Sequence, residues 1–409
     1  MLYPSREDLP DHVPVGRIVD YDVFAVDAPD GDFAGAMVRL RGELAQRLVW
    51  TQRNGGHWLA LDGEQIRRIL EQPEVFSSRA MRVPQAANPD PPMMPLMLDP
   101  PDHVVYRRLI APAMTPAEVR RLEQRARELS VGLIEEFAPR GHCEFVSEFA
   151  QMMPIAVFMG MLDLPAADRP LIMAIVDRII RPDVPETRMR GFAELGDYML
   201  GKIAERRAMP GDDLLSALAQ AEVNGVLLSD AELQGVTTVL MLAGLDTVAG
   251  MLTFIARYLA DNPDHRGRLR ASPAITTRAI EEFLRRMAMV NLTREVVADT
   301  EVDGVTLRSG DLIVLPTALS NFPEGDNEDW LAVNFDRPRQ QHATFGAGPH
   351  FCLGSMIARA EIRIFLEEWL PRIPDFAIAD GVQLEVKVGA AAAIPWLPLV
   401  WTPHNEQEP

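Results

Sequence analysis

Cysteine is almost absent: the 409 residues contain two, Cys143 and Cys352. Two thiols cannot build a disulfide framework or ligate an iron–sulfur cluster, so a reducing compartment, the cytoplasm, is expected. Positive charge is also scarce, with 40 Lys and Arg against 59 Asp and Glu and a net charge of −19. That balance argues against a nucleic-acid partner, whose phosphates call for clustered cations. No G-x-G-x-x-G opens a strand–helix unit, so a dinucleotide-binding half is not expected. The opening residues, MLYPSREDLPDHVP, have neither a basic nor an apolar leader region and do not resemble a signal peptide. Ser/Gly linkers, low-complexity blocks and internal repeats are missing too. With 47% hydrophobic residues available for one large core, residues 1–409 are expected to form a single domain, 1–20 and 403–409 being peripheral.

What is present is mostly helical. HWLAL (57–61) and DGEQIRRILEQP (62–73) predict a strand followed by a helix. From Asp102 the helical pattern dominates, and Thr115-Pro116 supplies an N-cap and a first-turn proline. DDLLSALAQAE predicts a helix that stops before an Asn224-Gly225 turn. Strand-like runs come late, in VADTEVDGVTLRSGDLIVLP and around IPWLPLVW. Between them, residues 84–101 hold seven prolines and exclude a regular helix or central strand. Met93, Met94, Leu96, Met97 and Leu98 make that segment too apolar for a solvated spacer, and a loop over a greasy cavity is expected. The fold class is therefore mainly α with small β-sheets.

Residues 235–260 carry one charge, Asp246, before Arg257 and would satisfy a transmembrane test by hydropathy. A mid-span aspartate and the lack of basic or aromatic belts favour the buried core helix of a large domain instead. Within it, Val239, Leu242, Ala243, Asp246 and Thr247 share one face. The Thr247 hydroxyl can bond the carbonyl of Ala243 four residues back, and small side chains at 243 and 244 leave room in that turn.

The densest signal is Phe345-Gly346-Ala347-Gly348-Pro349-His350-Phe351-Cys352-Leu353-Gly354, which sets a cysteine before a helical pattern. A helix N-terminus favours the thiolate, the metal-binding form. Gly346 and Gly348 allow a tight turn, Gly354 allows close approach of a flat ligand, and Phe345 would shield the sulfur. A zinc site drawing on His142, Cys143, His350 and Cys352 is the metal alternative, but its spacing fits no familiar structural site.

The order F-x-x-G-x-x-x-C-x-G resembles the haem-binding loop of the cytochrome P450 family, and Ala243-Gly244-Leu245-Asp246-Thr247 resembles that family's distal-helix motif. The likeness runs from about Gly56 to Trp401 and is strongest to bacterial, camphor-type hydroxylases of class I. It implies the P450 fold, a single haem-thiolate monooxygenase domain around a long buried central helix, and haem b with Cys352 as the axial ligand of iron. Thr247 and Asp246 take the catalytic roles, a hydrogen bond where oxygen is activated and proton relay from solvent. Besides Ala243, Phe345 and Gly354, the resemblance gives His103, Arg107, Arg294 and His350 as cofactor contacts, the four bases meeting the haem propionates. Leu292 stands where some relatives carry an aspartate.

Glu282 and Arg285 match the E-x-x-R pair, and Arg337 the third member of a structural cluster behind the cysteine loop. Pocket positions implied by the resemblance are Met93, Met94, Leu96, Val239, Leu242, Val290, Leu292, Ala390 and Ala391. Pro91 replaces the tyrosine that would meet a camphor ketone. A terpenoid, norisoprenoid or aromatic hydrocarbon is expected, hydroxylated with O2. Electrons must then come from a [2Fe-2S] ferredoxin and an NAD(P)H-dependent reductase, and Arg67, Arg107, Arg108, Arg337, Arg339, Arg359 and Arg363 could offer an acidic carrier a docking face. A peroxide-driven peroxygenase and a non-catalytic carrier of apolar molecules are the alternatives.

Overall fold

The computed structural model describes residues 9–180, 184–323, 328–338, 341–389 and 391–403. Its axis is the helix Asp230–Asp261. A capping box starts it: the Ser229 hydroxyl accepts from the Glu232 amide at 3.3 Å, and the Glu232 carboxylate accepts from the Ser229 amide at 2.7 Å. Most of its apolar length lies inside the protein, the arrangement expected of a core helix. Helices Met152–Met161, Pro185–Ala208 and Ser355–Arg372 pack around it.

Gly244 makes one of these contacts possible, because a Cβ there would sit 1.8 Å from Cε2 of Phe158. The expected role for this glycine, room at the oxygen side of the helix, is therefore corrected: its bare face serves the packing of Met152–Met161. The turn is not opened either, since the helix runs unbroken from Asp230 to Asp261.

The second helical layer pairs Pro116–Phe137 with Ser355–Arg372. Thr115 caps the former as expected, accepting from the Glu118 amide at 3.5 Å. Between the two lies an aromatic cluster: Trp369 meets Phe145 at 5.0 Å and Phe149 at 5.2 Å, both edge-on. Such contacts contribute about 0.5–1.5 kcal/mol each beyond area burial.

One sheet carries part of the site. Its strand order is Leu48–Thr51, His57–Ala60, Leu312–Pro316, Asn291–Val296, Phe76–Ser77, with only the pairing of Leu312–Pro316 to His57–Ala60 parallel. Strand Asn291–Val296 was not expected, because Asn, Thr, Arg and Glu fill four of its six positions and mask a segment that is largely buried. Register sets Arg294 opposite Ile313 and Leu292 opposite Leu315.

Cys143 belongs to another sheet, paired with Leu399 and buried, and burial raises its thiol pKa strongly. Among the described residues no three His, Cys, Asp or Glu side chains converge as a metal cluster, so the zinc arrangement does not form.

The proline-rich segment is a loop with one turn of 3-10 helix at Gln85–Ala87 and a hydrogen-bonded turn at 94–97. It lies on the central helix: the Met94 amide donates to the Gly235 carbonyl at 3.3 Å, and a Cβ on Gly235 would meet the Pro92 carbonyl at 2.4 Å.

Candidate active site

The cysteine loop is shaped by two positive-φ glycines. Gly346 has φ 75° and Gly348 φ 65°, conformations that L side chains rarely adopt. At Gly348 a Cβ would also come within 2.6 Å of the Leu70 carbonyl, which fixes the loop against the helix Gly63–Leu70. The Cys352 amide closes the turn on the Phe345 carbonyl at 2.9 Å. Phe345 in turn lies under the Arg359 guanidinium, 4.6 Å from its ring centre. Nothing but the Cys352 sulfur, at 3.9 Å, stands near a Cβ built on Gly354, so that side of the turn is open.

Cys352 is exposed, yet its neighbours are close enough that desolvation raises the thiol pKa. The Gly354 amide, Arg107 and Arg359 pull the other way. The Gly354 amide at the helix start acts in the direction expected of that position, and a bound cation would favour the anionic sulfur further.

Behind the loop, Glu282 is completely buried and accepts from Arg285 Nε and Nη2 at 2.8 Å each, Arg337 Nε at 3.2 Å and the Asn334 amide at 2.9 Å. These bonds hold its carboxyl below the usual range despite the burial that opposes them. Asn321, which no motif marks, links this helix to the loop. Its amide donates to the Arg285 carbonyl at 2.9 Å, and its oxygen accepts from the Ala343 amide at 2.7 Å.

On one side of the cysteine two arginines and two neutral histidines gather. The rings of His103 and His350 stand 4.2 Å apart, and Arg107 donates to the Phe351 carbonyl at 2.6 Å. Burial, then Arg294, His103 and Arg107, drive His350 down to about 3. Arg294 is 6% exposed, and its guanidinium donates to the Thr293 carbonyl. Burial lowers it to about 10, with Asp99 as the opposing anion. Asp99 is itself engaged, accepting from the Ser78 amide at 2.8 Å and from the Ser77 hydroxyl. Nδ1 of His103 is buried without a partner. Four bases sharing one occupied carboxylate, with an orphaned donor atom among them, are suited to receive further anions. Ser78, which donates to or accepts from His350 at 3.0 Å, was not foreseen.

The second set of expected site residues lies on the central helix. Leu242, Asp246 and Thr247 are half-buried and Ala243 is exposed, while Val239, Gly244 and Leu245 are buried. Thr247 Oγ1 donates to the Ala243 carbonyl at 2.8 Å. The lid adds Met93, buried, with Met94 and Leu96 partly so. Val290 forms a bridge with Ala391, bringing the end of the sheet strand to the last hairpin. Leu292 instead approaches the cysteine loop, 3.9 Å from the Cβ position of Gly346. Ala390 and Arg339 lie outside the described residues.

Of the other proximal arginines, Arg359 is paired with Glu281 at 2.6 Å and Arg363 with Glu123 at 2.5 Å, so both are neutralised locally. Like Asn321 and Ser78, Arg82 escaped sequence reasoning: its Nε is buried without a partner near Asp246.

Comparison with known proteins gives the class. Residues 274–373 match the family model for Cytochrome P450. "Probable cytochrome P450 127A1" of Sinorhizobium fredii is 32% identical over 96% of this chain and 97% of its own. A "Steroid C26-monooxygenase" of Mycobacterium tuberculosis is 32% identical over 92% of this chain and 97% of its own. Among solved structures, that of CYP101J2 superposes with a TM-score of 0.89 at 35% identity, covering 97% of this chain and 99% of that one. CYP101C1 gives 0.88 at 35%, covering 96% and 100%. The chain belongs to the cytochrome P450 family and has its fold; it is a P450 monooxygenase, and the family's cofactor is haem b held through a cysteine thiolate. The donor set fits that group, since the bases beside Cys352 are matched to carboxylates and Cys352 is an accessible soft ligand.

Proposed function

We propose that residues 1–409 act as one haem-thiolate domain in the cytoplasm and hydroxylate a small, largely apolar substrate, a terpenoid, norisoprenoid or aromatic hydrocarbon. What supports this is the fold shared with CYP101J2 at a TM-score of 0.89, together with Cys352 and its neighbouring bases on one element and the Leu242, Ala243, Asp246, Thr247 face on the helix that the Met-rich loop lies on. Among curated relatives, the "Steroid C26-monooxygenase" and a "Pentalenic acid synthase" of Streptomyces avermitilis, 34% identical over 69% of this chain, have names that point to terpenoid-derived skeletons.

Bound haem, ligated by Cys352, supplies activation of O2; one oxygen atom enters a C–H bond and the other leaves as water, consuming two protons and two electrons. The protein's residues then divide the remaining work. Arg107 and Arg294 neutralise the propionates, and His103 and His350, neutral in this setting, offer them ring N–H donors. Thr247, anchored on the Ala243 carbonyl, keeps its hydroxyl oxygen at the chamber wall, and the Asp246 carboxylate passes protons inward from solvent. Leu242, Val290, Ala391 and the lid methionines exclude water and hold the substrate, Ala390 being included on the resemblance alone. Electrons come from a [2Fe-2S] ferredoxin and an NAD(P)H-dependent reductase. With Arg337, Arg359 and Arg363 paired internally and Arg107 turned to the propionates, Arg108 and Arg67, the latter bonded only to the Ser320 carbonyl, are offered to an acidic carrier.

The test is the reduced-plus-carbon-monoxide difference spectrum of wild type and Cys352→Ala. A red-shifted thiolate band in the first and its loss in the second are expected. Retention of the band in the variant would remove Cys352 from the mechanism. Product formation with ferredoxin, reductase and NADH, compared with peroxide alone, separates the monooxygenase from a peroxygenase.

A further inference from the structure

Arg82 stands at the start of the methionine-rich loop, close enough to Asp246 of the central helix to feel its charge. Its backbone is locked by one side chain, Asn88, whose oxygen accepts from the Met81 and Arg82 amides at 2.9 and 3.1 Å and whose amide donates to the Arg82 carbonyl at 3.3 Å. Residue 82 thereby has a fixed place at the start of the lid. Its guanidinium makes no hydrogen bond or ion pair with any described residue. Nε is sealed from solvent without a partner, while the two Nη atoms remain accessible.

The charges around it do not neutralise it. Arg188 acts as a second, repelling cation, and Asp246 on the central helix attracts it only through space. Arg188 is itself anchored elsewhere, its Nε donating to the Ile179 carbonyl at 3.1 Å. Burial and Arg188 together lower the Arg82 guanidinium to about 10. A partly desolvated cation with an open fork is unfavourable unless an anion completes it, and a planar guanidinium is matched to a carboxylate through two parallel hydrogen bonds.

We infer that Arg82 is a specificity-determining residue that anchors a carboxylate on the substrate, so that the preferred substrate is an apolar acid with its hydrocarbon end turned toward Cys352. This rests on the monooxygenase reading above and narrows its substrate class: a hydrophobic body remains necessary for the methionine lid, Leu242 and Val290, and one anionic end satisfies Arg82. A neutral ketone or ester could accept one hydrogen bond from the fork but would leave its charge uncompensated.

The experiment uses the haem-loaded full chain and three probes of one shape: 4-isopropylbenzoate, its methyl ester, and p-cymene. Dissociation constants are measured by equilibrium dialysis, which does not depend on turnover or on a spin-state change, for wild type, Arg82→Leu, Arg82→Gln and Arg82→Lys. Wild type should bind the acid at least about tenfold more tightly than the ester, the scale of a charge-assisted hydrogen bond in a desolvated site. Arg82→Leu and Arg82→Gln should each weaken acid binding at least about tenfold and leave p-cymene within about threefold, with Arg82→Lys in between. Equal binding of acid and ester by wild type, or an acid preference that survives both neutral variants, overturns the proposal. A missing thiolate band in wild type would instead count against the monooxygenase reading, and the carbon monoxide spectrum of each variant shows that its fold and haem are intact.

Discussion

Replacing Glu282 by Gln tests the claim that the loop carrying Cys352 is braced by buried charge. Glu282 and Arg285 have side-chain exposures of 0% and 1%, and Arg337 only 10%. The substitution keeps shape and volume while removing the anion that two guanidiniums share, and it turns an NH2 group toward at least one of them. Removing one partner of a buried pair costs about 3–5 kcal/mol because the remaining charge is left uncompensated. Unfolding entropy of about 2.1 cal/mol/K per residue over 409 residues gives about 0.86 kcal/mol/K, so the midpoint should fall by about 3–6 °C.

Glu64→Gln is the matched control: its pair with Arg68 has the same charge chemistry, but the side chains are 73% and 70% exposed. It should change stability by less than about 0.5 kcal/mol. Differential scanning calorimetry of both variants with haem bound, at one scan rate, reads the difference. If the two lower the midpoint equally, burial is not what gives the Glu282 cluster its strength and the reasoning fails.

Other expectations follow from single contacts. His57 is 1% exposed and burial depresses its pKa from 6.5 to about 4, against smaller opposing effects of the Arg53 backbone and Asp22. A depressed imidazole contributes stability that is present above pH 6.5 and lost as pH falls toward 4, on the order of 3 kcal/mol in all, so wild type should lose more than His57→Gln between pH 7 and 4.5 by thermal unfolding. Glu361 is wholly enclosed, neither carboxylate oxygen has a partner, and burial raises its pKa well above the usual range. Its neutral form is stable below the unfolded pKa of 4.5 and is penalised as pH rises, so Glu361→Gln should raise the midpoint more at pH 8 than at pH 5. Asp246→Asn should slow product formation by about 10²-fold and enlarge the solvent isotope effect, with substrate binding by dialysis unchanged; an undiminished rate would remove it from proton relay.

Much of the site could be read directly from the chain because its motifs are short and local. The cysteine loop, the Thr115 cap, the Thr247 to Ala243 bond and the Glu282–Arg285 pair each depend on residues within ten positions of one another. What could not be read depends on distant partners. Strand Asn291–Val296 is polar at four of its six positions, and only its neighbours Leu312–Pro316 and Phe76–Ser77 reveal it as buried sheet. Asn321 carries no motif, and its bracing role requires Arg285 and Ala343 to arrive from opposite sides. Arg82 looks like any surface base until the Asn88 turn and the central helix enclose it.

Gly244 shows why a correct motif can still be given the wrong physical reason. Side chains three and four positions apart share a helix face, so Ala243 and Thr247 turn to the chamber, while Gly244, rotated by about 100° from Ala243, turns to Met152–Met161. Phe158 occupies the space a methyl group would need, at 1.8 Å. Gly244→Ala should therefore destabilise the protein by about 1–3 kcal/mol through overpacking and leave the chamber itself unchanged. Phe158→Leu, added to it, should restore part of that loss, an interaction energy visible in a double-mutant cycle by urea unfolding. If Gly244→Ala instead left stability intact and altered only substrate or carbon monoxide binding, the glycine would belong to the oxygen side of the helix after all, and the packing account would be wrong.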